Sequence, residues 1–414
     1  MNRLAALLLV CLTHVAHAKD PWPTWGGPSG NFHAPGKPIK PWTGNLKANW
    51  ARPLGEGYSA VSVGTLKEQG QMRDVLFTLF RQKGREFVVA LRGENGKQIW
   101  AHSYPAPHYP KPQTDLGPGP GPHAAPVLVG DRVITLGVTG ILHCLDRSNG
   151  KKLWSHDVLR KFGGTILYRG HSPTPVVFGK QVIVMVGGKG HAVVSFNLTD
   201  GSVHWQALDF PISHSTPILI RRNGKTQLVA FAEKQFVALD PATGKQLWSA
   251  AHKVEGGYIA SMPVWGNDNR LFFSSAYGSG SWCVELQKSS AKVVWNTPRM
   301  QIHHSNAIRI GDTVYGASGD FGRKIFKAIN IRTGKVTLQE RKIGRCSLVL
   351  VGKQLLVLDE QGRLFLVQPT ANGIEILAQS QLIGGQAWTP PTLVGGTLFV
   401  RNRKKLAAYP MLRE

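Results

Sequence analysis

The chain has 414 residues, of which 49 are lysine or arginine and 24 are aspartate or glutamate, so its formal net charge is +25 at pH 7. This charge indicates attraction to polyanions but does not identify one. The four cysteines form no CxxC or CxxCH motif, which argues against a disulfide framework and a covalently bound haem. After the first 18 residues, no apolar stretch is long enough to span a membrane.

The first 18 residues have the pattern of a signal peptide. An apolar run from Leu4 to Leu12 follows a basic residue, and residues 16–18, Ala-His-Ala, form a small-x-small cleavage site. We therefore expect the mature protein to begin near Lys19 and to be periplasmic or secreted. Cys11 is not preceded by the small residue that lipoprotein signals carry, so we do not predict a lipid anchor.

Residues 19–44 form an N-terminal arm rich in proline, glycine and tryptophan. This composition predicts a segment that packs on the body of the protein without regular structure of its own. The next residues, Leu46 to Trp50, have the pattern of the last strand of a sheet whose earlier strands are missing from this part of the chain.

The body of the chain, residues 45–414, is dominated by one repeated hairpin. Its clearest copy, Phe236 to Trp248, is an apolar strand, a turn from Asp240 to Gly244, and a second strand that ends on tryptophan. An aspartate can cap this turn with its carboxylate, and a glycine supplies the positive φ that closes it. The further copies are LRGENGKQIW (Leu91 to Trp100), LDRSNGKKLW (Leu145 to Trp154), FNLTDGSVHW (Phe196 to Trp205), LQKSSAKVVW (Leu286 to Trp295), INIRTGKVTL (Ile329 to Leu338) and VQPTANGIEIL (Val367 to Leu377).

The spacing of these hairpins predicts a β-propeller. Their turn positions are 39 to 54 residues apart, which leaves room for about four strands in each unit. The tryptophan of each hairpin buries so much surface that a neighbouring blade must cover it. We therefore expect a structural docking role for Trp100, Trp154, Trp205, Trp248 and Trp295, and for the turn glycines Gly96, Gly150, Gly201 and Gly244.

Three strand patterns near the C-terminus have no turn and tryptophan after them: Pro391 to Gly395, Thr397 to Arg401 and Lys405 to Pro410. Together with Leu46 to Trp50 they complete one blade from both ends of the chain, which removes an open sheet edge. Seven internal blades and this shared blade predict an all-β fold, an eight-bladed β-propeller closed by N- and C-terminal strands.

The repeats resemble those of the pyrroloquinoline quinone (PQQ)-like repeat β-propeller family, whose docking motif is A-x-D-x-x-T-G-x-x-x-W. Ala238 to Trp248 matches this motif at every position, and the resemblance covers essentially the whole mature chain. The arm is similar to the W-P-x-W-x-G-P opening of secreted members, here Trp22 to Pro28. The resemblance implies either a quinoprotein dehydrogenase or a non-catalytic propeller similar to the outer-membrane assembly factor BamB, and fold alone does not decide between them.

The residues that lead into the first strands are the candidate ligand-binding residues. First strands line the central channel of a propeller, so their leading residues should ring one mouth of the channel. The histidines among them are open to three interpretations: solvated side chains, a site for an anion or another ligand, or a metal site. The candidate set is His123, His171, His214, His304, Arg345, Trp388, Tyr58 and Tyr258.

Basic residues gather in the loops that join second to third strands on the same face. They are Arg81, Lys83, Arg85, Lys189, Lys234, Arg323, Lys324, Arg401, Arg403, Lys404 and Lys405. A solvated basic surface is one interpretation, but the clustering predicts an acidic partner at this face. We expect an acidic protein, an anionic lipid headgroup or an acidic polysaccharide. Export argues against nucleic acid, and we expect a monomer.

These features favour an exported, non-catalytic scaffold that binds protein or other acidic partners in the cell envelope. A quinoprotein dehydrogenase would need calcium or a lanthanide held by carboxylate and amide oxygens, an aspartate base, and usually an adjacent Cys-Cys disulfide. The chain has no adjacent cysteines, and the mouth positions carry no acids. We therefore assign no catalytic residue, no metal and no cofactor. The alternatives are a PQQ- and calcium-dependent or metal-dependent oxidoreductase and an acidic-polysaccharide-binding propeller.

Overall fold

The computed structural model describes residues 21–106, 121–164, 167, 169–254, 258–320, 322 and 324–411. The predicted signal peptide, residues 1–18, and the basic loop residue Arg323 lie outside the described residues. Within the described ranges, no helix is long and apolar enough to cross a membrane.

Two strands precede the first complete blade, β1 (His33–Ala34) and β2 (Trp50–Pro53). Blades 1 to 4 then follow in chain order. Numbered from the channel outward, blade 1 consists of β3 (Ser62–Glu68), β4 (Gln71–Gln82), β5 (Arg85–Arg92) and β6 (Gln98–Pro105), and blade 2 of β7 (Val127–Val129), β8 (Arg132–Leu136), β9 (Ile141–Asp146) and β10 (Lys152–Asp157). Blade 3 consists of β11 (Val176–Phe178), β12 (Gln181–Met185), β13 (Val193–Asn197) and β14 (Val203–Ala207). Blade 4 consists of β15 (Ile218–Arg222), β16 (Lys225–Phe231), β17 (Gln235–Leu239) and β18 (Gln246–Ala251).

Blades 5 to 7 continue the same pattern, and blade 8 is completed by β2. Blade 5 consists of β19 (Val264–Trp265), β20 (Arg270–Ser275), β21 (Gly280–Leu286) and β22 (Ala291–Thr297), and blade 6 of β23 (Ala307–Ile310), β24 (Thr313–Ser318), β25 (Ile325–Asn330) and β26 (Val336–Glu340). Blade 7 consists of β27 (Cys346–Val351), β28 (Gln354–Asp359), β29 (Arg363–Thr370) and β30 (Gly373–Gln381). Blade 8 consists of β31 (Thr392–Val394), β32 (Thr397–Arg401), β33 (Lys405–Pro410) and the closing strand β2.

The eight sheets form the blades of a propeller, so the prediction of an all-β, eight-bladed propeller is confirmed. The apolar core lies in the spaces between adjacent sheets, where for example Leu142 and Cys144 of blade 2 pack with Phe196 of blade 3. A one-turn helix, α1 (Val158–Phe162), follows blade 2 and is capped by the carboxylate of Asp157.

The repeated hairpin has the geometry that its sequence predicts. In blade 4 the Asp240 carboxylate accepts the Ala242 N–H at 2.8 Å, and the Gly244 N–H donates to the Asp240 carbonyl at 2.8 Å. Gly244 has a φ of +75°, a conformation that favours glycine. The side chain and the backbone of one aspartate therefore close the turn together.

In blades 1, 2, 3 and 5 the tryptophan of the hairpin reaches the next blade through its indole N–H. Trp100 donates to the Arg147 carbonyl at 3.0 Å, and Trp154 donates to the Leu198 carbonyl at 3.0 Å. The turn glycine of the next blade lies against the indole ring. A Cβ atom on Gly150 would come within 2.5 Å of Trp100. The motif therefore couples each blade to its neighbour.

The contact between blades 4 and 5 departs from this arrangement, because blade 5 has Ala291 in place of the turn glycine. The Trp248 N–H donates instead to the Gln227 side chain of its own blade at 2.9 Å. Trp248 nevertheless stays 5% exposed. Burial of the ring thus persists where the hydrogen bond to the next blade is absent.

The ends of the chain meet in blade 8, where β2 pairs antiparallel with β33. The closing strand begins at Trp50, later than the predicted Leu46 to Trp50. The reason is that the Leu46 N–H donates to the Ser380 hydroxyl of blade 7, so this residue packs on blade 7 and does not pair in blade 8. Trp50 donates to the Gly93 carbonyl of blade 1 at 2.9 Å and so occupies the docking position.

The N-terminal arm enters the central channel. Trp22 forms an antiparallel bridge with Val63 on the first strand of blade 1, and β1 pairs in parallel with β27, the first strand of blade 7. The sequence predicted no regular structure here, because a strand of two residues is too short to show a periodicity. The arm then crosses blade 7, where the Ile39 N–H donates to the Gln354 side chain.

His171 is a buried imidazole between blades 2 and 3. Its backbone N–H donates to the Val138 carbonyl at 2.7 Å, and its Nε2 lies 2.8 Å from the Met185 carbonyl, so Nε2 carries the proton and donates. The side chain is 1% exposed, and this burial lowers its pKa to about 4. The ring is therefore neutral at pH 7.

Gly150→Ala should lower the free energy of unfolding by roughly 2 to 5 kcal/mol, because a Cβ atom strains the backbone at φ +74° and collides with Trp100. Gly130→Ala is the matched control, since Gly130 has a φ of +54° but no atom within 4 Å of the added Cβ. It should cost only about 1 to 2 kcal/mol. Urea unfolding measures both, and equal losses would contradict the docking role.

The pKa of His171 predicts a loss of stability in acid. The folded-state pKa of about 4 lies below the ordinary 6.5, so the unfolded state binds the proton more readily between these values. The free energy of unfolding should fall as the pH falls through this window, by about 2 to 4 kcal/mol from this one ring. His171→Gln keeps a donor for Met185 and should lose less stability between pH 7 and pH 4 than the wild type does.

The exposed His204 provides the control for this measurement. His204→Gln should lose stability along the wild-type curve when urea unfolding is repeated across the same pH range. If His171→Gln also follows the wild-type curve, its burial does not contribute to acid sensitivity.

Candidate functional site

A cavity of about 1020 Å³ lies at the mouth of the channel, and we call it the mouth cavity. Each of the eight segments that lead into a first strand contributes a side chain to its wall. From blade 1 to blade 8 these are Tyr58, His123, Ser172, His214, Tyr258, His304, Arg345 and Trp388. The residues that lead into the eight first strands therefore ring the mouth of the channel, as expected if first strands line the channel.

Seven of the eight candidate residues line this cavity, and His171 does not. In blade 3 its neighbour Ser172 faces the cavity, and the Ser172 hydroxyl forms a hydrogen bond of 2.6 Å with the His214 Nδ1. Successive side chains of an extended segment point in opposite directions. The same geometry that presents Ser172 to the cavity therefore turns His171 into the wall. Ligand binding by the other seven stays a prediction.

Seven rings form a continuous arc along the cavity wall. Neighbouring ring centroids are 6.0, 5.4, 4.5, 4.8, 5.0 and 5.2 Å apart. These separations are typical of interacting aromatic pairs. In order, the rings belong to His123, Tyr58, Trp388, His304, His303, Tyr277 and Tyr258. We call this set the aromatic arc, and its mutual packing holds the wall in one shape.

The histidines of the aromatic arc are neutral at pH 7. Burial lowers the pKa of His123 and of His303 to about 4, and it lowers that of His304 well below the ordinary value. The Tyr277 hydroxyl lies 3.0 Å from the His303 Nε2, and the His303 Nδ1 lies 3.2 Å from the His304 Nδ1. The rings therefore act as hydrogen-bonding groups, and anion binding by protonated imidazoles would require acidic conditions.

The third interpretation of the mouth histidines, a metal site, needs a set of metal-binding side chains. No group of three or more histidine, cysteine, aspartate or glutamate side chains in the described ranges could hold a metal ion. His214 is engaged by Ser172, and His123 lies 3.1 Å from the Arg169 carbonyl through its Nε2. Each of these two imidazoles is therefore already engaged by a hydrogen-bond partner in the cavity wall.

Among the described residues, three cationic side chains line the mouth cavity: Arg169, Lys324 and Arg345. The Arg345 guanidinium lies 5.6 Å from the centre of the Trp388 ring, within cation–π range. Glu360 stands behind this pair, 3.4 Å from Arg345 and 4.0 Å from Lys324. It also accepts the Trp388 indole N–H at 3.2 Å. Glu360 thus positions the cations and partly neutralises them.

Two of the described cavity residues hold a backbone conformation that non-glycine residues seldom adopt. Arg169 has a φ of +78° and Tyr277 has a φ of +55°. Such conformations cost about 1 to 3 kcal/mol each and often occur at binding sites, where they aim a side chain. At Arg169 the strained backbone places its carbonyl against His123 and its side chain at the cavity.

The predicted cluster of basic loop residues is less cationic than its sequence suggests. Arg401 is 1% exposed and donates to the Ser59 and Leu79 carbonyls of blade 1, so it ties blade 8 to blade 1. Arg403 and Lys404 pair with Glu56 at 2.9 and 3.2 Å. The expectation that Arg401 presents its charge at the mouth is therefore wrong.

Several cavity residues carry no sequence pattern that predicts their place. Arg169, Tyr277 and Asp320 come from loops whose sequences carry no repeat pattern. His303 directly precedes a residue that was predicted, and this adjacency was the available signal. The floor of the cavity is made by Trp25 of the arm, whose indole nitrogen lies 3.2 Å from the Met262 sulfur.

Comparison with known proteins matches this chain to a family model and to a curated relative. The family model described as outer membrane protein assembly factor BamB matches residues 84–340. The uncharacterized protein RP232 of Rickettsia prowazekii (strain Madrid E) is 24% identical over 277 residues, which cover 62% of this chain and 61% of that protein. The chain thus spans about three fifths of the length of this curated relative.

Solved structures with the same fold include proteins of different activity. BamB from Moraxella catarrhalis aligns with a TM-score of 0.55 and 16% identity, over 90% of this chain and 99% of that chain. Quinohemoprotein alcohol dehydrogenase from Comamonas testosteroni aligns with a TM-score of 0.68 and 11% identity, over 96% of this chain and 81% of that chain. Identities this low establish the fold alone. Because the family model covers more than half of the chain, this protein belongs to the family of PQQ-like repeat propellers described as outer membrane protein assembly factor BamB.

Proposed function

We propose that this protein is an exported, non-catalytic binding propeller of the cell envelope that holds an acidic segment of a partner protein in the mouth cavity. The observation that carries the proposal is the aromatic arc together with three cations around one cavity, whose described lining includes a single carboxylate, Asp320. Rigid rings and arginines are the residue types that dominate binding energy at protein interfaces.

The chemistry of the wall suits a segment that combines acidic and aromatic or apolar side chains. Arginine can bind a carboxylate through two parallel hydrogen bonds, and Tyr258, which is 39% exposed, offers a surface for stacking. Membership of a family described as an assembly factor for outer membrane proteins favours a protein partner over a lipid headgroup or a polysaccharide. The signal peptide predicted from residues 1–18 is consistent with this location.

The alternative function, a quinoprotein dehydrogenase, requires a calcium-bound PQQ. Calcium takes six to eight oxygen ligands. In the mouth cavity only Asp320 supplies a carboxylate among the described lining residues, and its oxygen accepts the Tyr277 N–H at 3.1 Å. The cysteines Cys144, Cys283 and Cys346 are buried in different blades. This donor set does not fit the quinone and calcium centre, which favours binding over catalysis.

Arg169→Gly should weaken binding of an acidic ligand without destabilising the fold. We expect a fluorescent peptide of alternating glutamate and tyrosine to bind the wild type in a salt-sensitive manner. The variant should bind about five- to tenfold more weakly, which corresponds to roughly 1 to 1.4 kcal/mol. Thermal unfolding should stay unchanged or rise, because glycine accepts φ +78° without strain. Fluorescence anisotropy and a melting curve give the two measurements.

Lys245→Ala is the control for this test, since Lys245 is exposed in a hairpin turn on the opposite face. It should bind the peptide as the wild type does. Wild-type affinity in Arg169→Gly, or an equal loss in Lys245→Ala, would contradict binding at the mouth cavity. Binding of oligogalacturonate without binding of the peptide would identify a polysaccharide partner instead.

Native mass spectrometry after incubation with PQQ and calcium tests the alternative function. The donor set of the mouth cavity predicts a mass without a quinone adduct. A stoichiometric adduct that is lost in Asp320→Ala would show that the cavity holds the quinone and would overturn the non-catalytic assignment.

A further inference from the structure

A second cavity, of about 660 Å³, lies in the channel below the mouth cavity. We call it the channel cavity. Trp25 and Met262 line both cavities and form the partition between them. Arg221 and Asn267 line the channel cavity near the ends of first strands and are exposed, as is Asn31 of the arm. The channel cavity therefore opens on the face opposite the mouth.

The arm occupies only one side of the channel. It pairs with the channel-facing edge of β27, bridges Val63 of β3, and accepts the Leu128 N–H of β7 through the Pro23 carbonyl. Among the described residues, β11 and β15 pair only with β12 and β16. The channel-facing edges of these two first strands therefore have no strand partner there.

The open edge of β15 presents regularly spaced backbone groups. Its two-residue turn to β16 closes on the pair formed by Arg222 and Lys225. Antiparallel pairing alternates along a strand, so the N–H and C=O groups of Leu219 and Arg221 point away from β16 and toward the channel. An unpaired strand edge of this kind is a template for another extended polypeptide.

The side chains around this edge are incompletely covered. Every residue of β27, which the arm covers, is buried. By contrast, the three residues of β11 are half-buried, and so are Ile218 and Leu219 at the start of β15. The channel cavity thus combines an open strand edge with partly exposed apolar side chains.

The charge of the channel cavity favours an acidic occupant. Its described lining contains no aspartate or glutamate. Arg309 is buried and bound to Asp268 at 2.6 Å, whereas Arg221 is exposed at the rim. The available positive charge therefore lies at the end of the open strand.

We propose that the channel cavity binds an extended, acidic segment of a partner polypeptide, which adds as a strand to the free edge of β15. Strand addition gains affinity from main-chain hydrogen bonds and specificity from alternate side chains. The arm provides the precedent, since β1 already adds to the corresponding edge of β27. This site is separate from the proposed function of the mouth cavity, because Trp25 and Met262 lie between the two.

The test uses the mature protein and a short fluorescent peptide of alternating valine and glutamate. We expect saturable binding by fluorescence anisotropy and slower hydrogen exchange at the amides of Leu219 and Arg221. The same peptide with alternate amides N-methylated keeps its side chains but cannot pair as a strand, and it should bind at least tenfold more weakly.

Arg221→Glu should weaken binding of the unmodified peptide about tenfold. Lys245→Glu makes the same charge change at an exposed turn on the same face and should leave the affinity within about twofold. Arg169→Gly should leave the slower hydrogen exchange at Leu219 and Arg221 unchanged, which separates this site from the mouth cavity.

Equal binding of the N-methylated peptide, or unchanged exchange at Leu219 and Arg221, would overturn strand addition. Loss of binding in Arg169→Gly but not in Arg221→Glu would place the peptide in the mouth cavity and would also overturn the proposal. The same conclusion follows if neither this peptide nor any peptide selected from a displayed random library binds saturably.

Discussion

The contact between a tryptophan and the turn glycine of the next blade is the interaction on which the rest of the structure depends. Each blade buries its large ring only against its neighbour, so no blade is complete alone. Trp50 makes this contact from blade 8 to Gly96 of blade 1 and thereby carries it across the join between the two ends of the chain. In blades 6 and 7 a leucine takes the place of the tryptophan, and Leu338 lies 3.7 Å from the Cβ position of Gly373. The mouth cavity exists because packing between neighbouring blades closes a full circle and brings the ends of eight first strands to one rim.

The ring of eight packed blades determines where the cavity residues lie, but it does not determine their residue types. The contact fixes where each first strand begins, and the residues before the strands are free to differ. In this chain they are mainly rings, and the connecting loops add Arg169, Tyr277 and His303 to them. Packing among the rings explains why the histidines are neutral, since desolvation disfavours the charged imidazole. A charged function at the mouth therefore belongs to the arginines and lysine.

The sequence was sufficient to predict the fold because the repeated motif specifies both the turn and the contact between blades. It also located the mouth, since seven candidate residues lie at the heads of first strands. Blade 3 shows the limit of this prediction, because the sequence predicted His171 at the cavity and the structure places its neighbour Ser172 there. A pattern in an irregular segment does not determine which of two successive side chains faces inward. Arg401 shows a second limit, because charge in a sequence does not reveal burial. The insertion of the arm into the channel left no signal in the sequence, since many of its contacts join residues more than 200 positions apart, such as Trp25 and Met262.

The shared blade has a consequence for how the molecule reaches its native state. The sheet that closes the ring pairs Trp50 with Ala408, so its register is set by a contact of very long sequence separation. Contacts of this kind form slowly because the intervening chain must first lose its freedom. Until β33 is in place, blades 1 and 7 each present an uncovered face. Completion of the circle is thus a late step that converts a row of stacked sheets into one cooperative body.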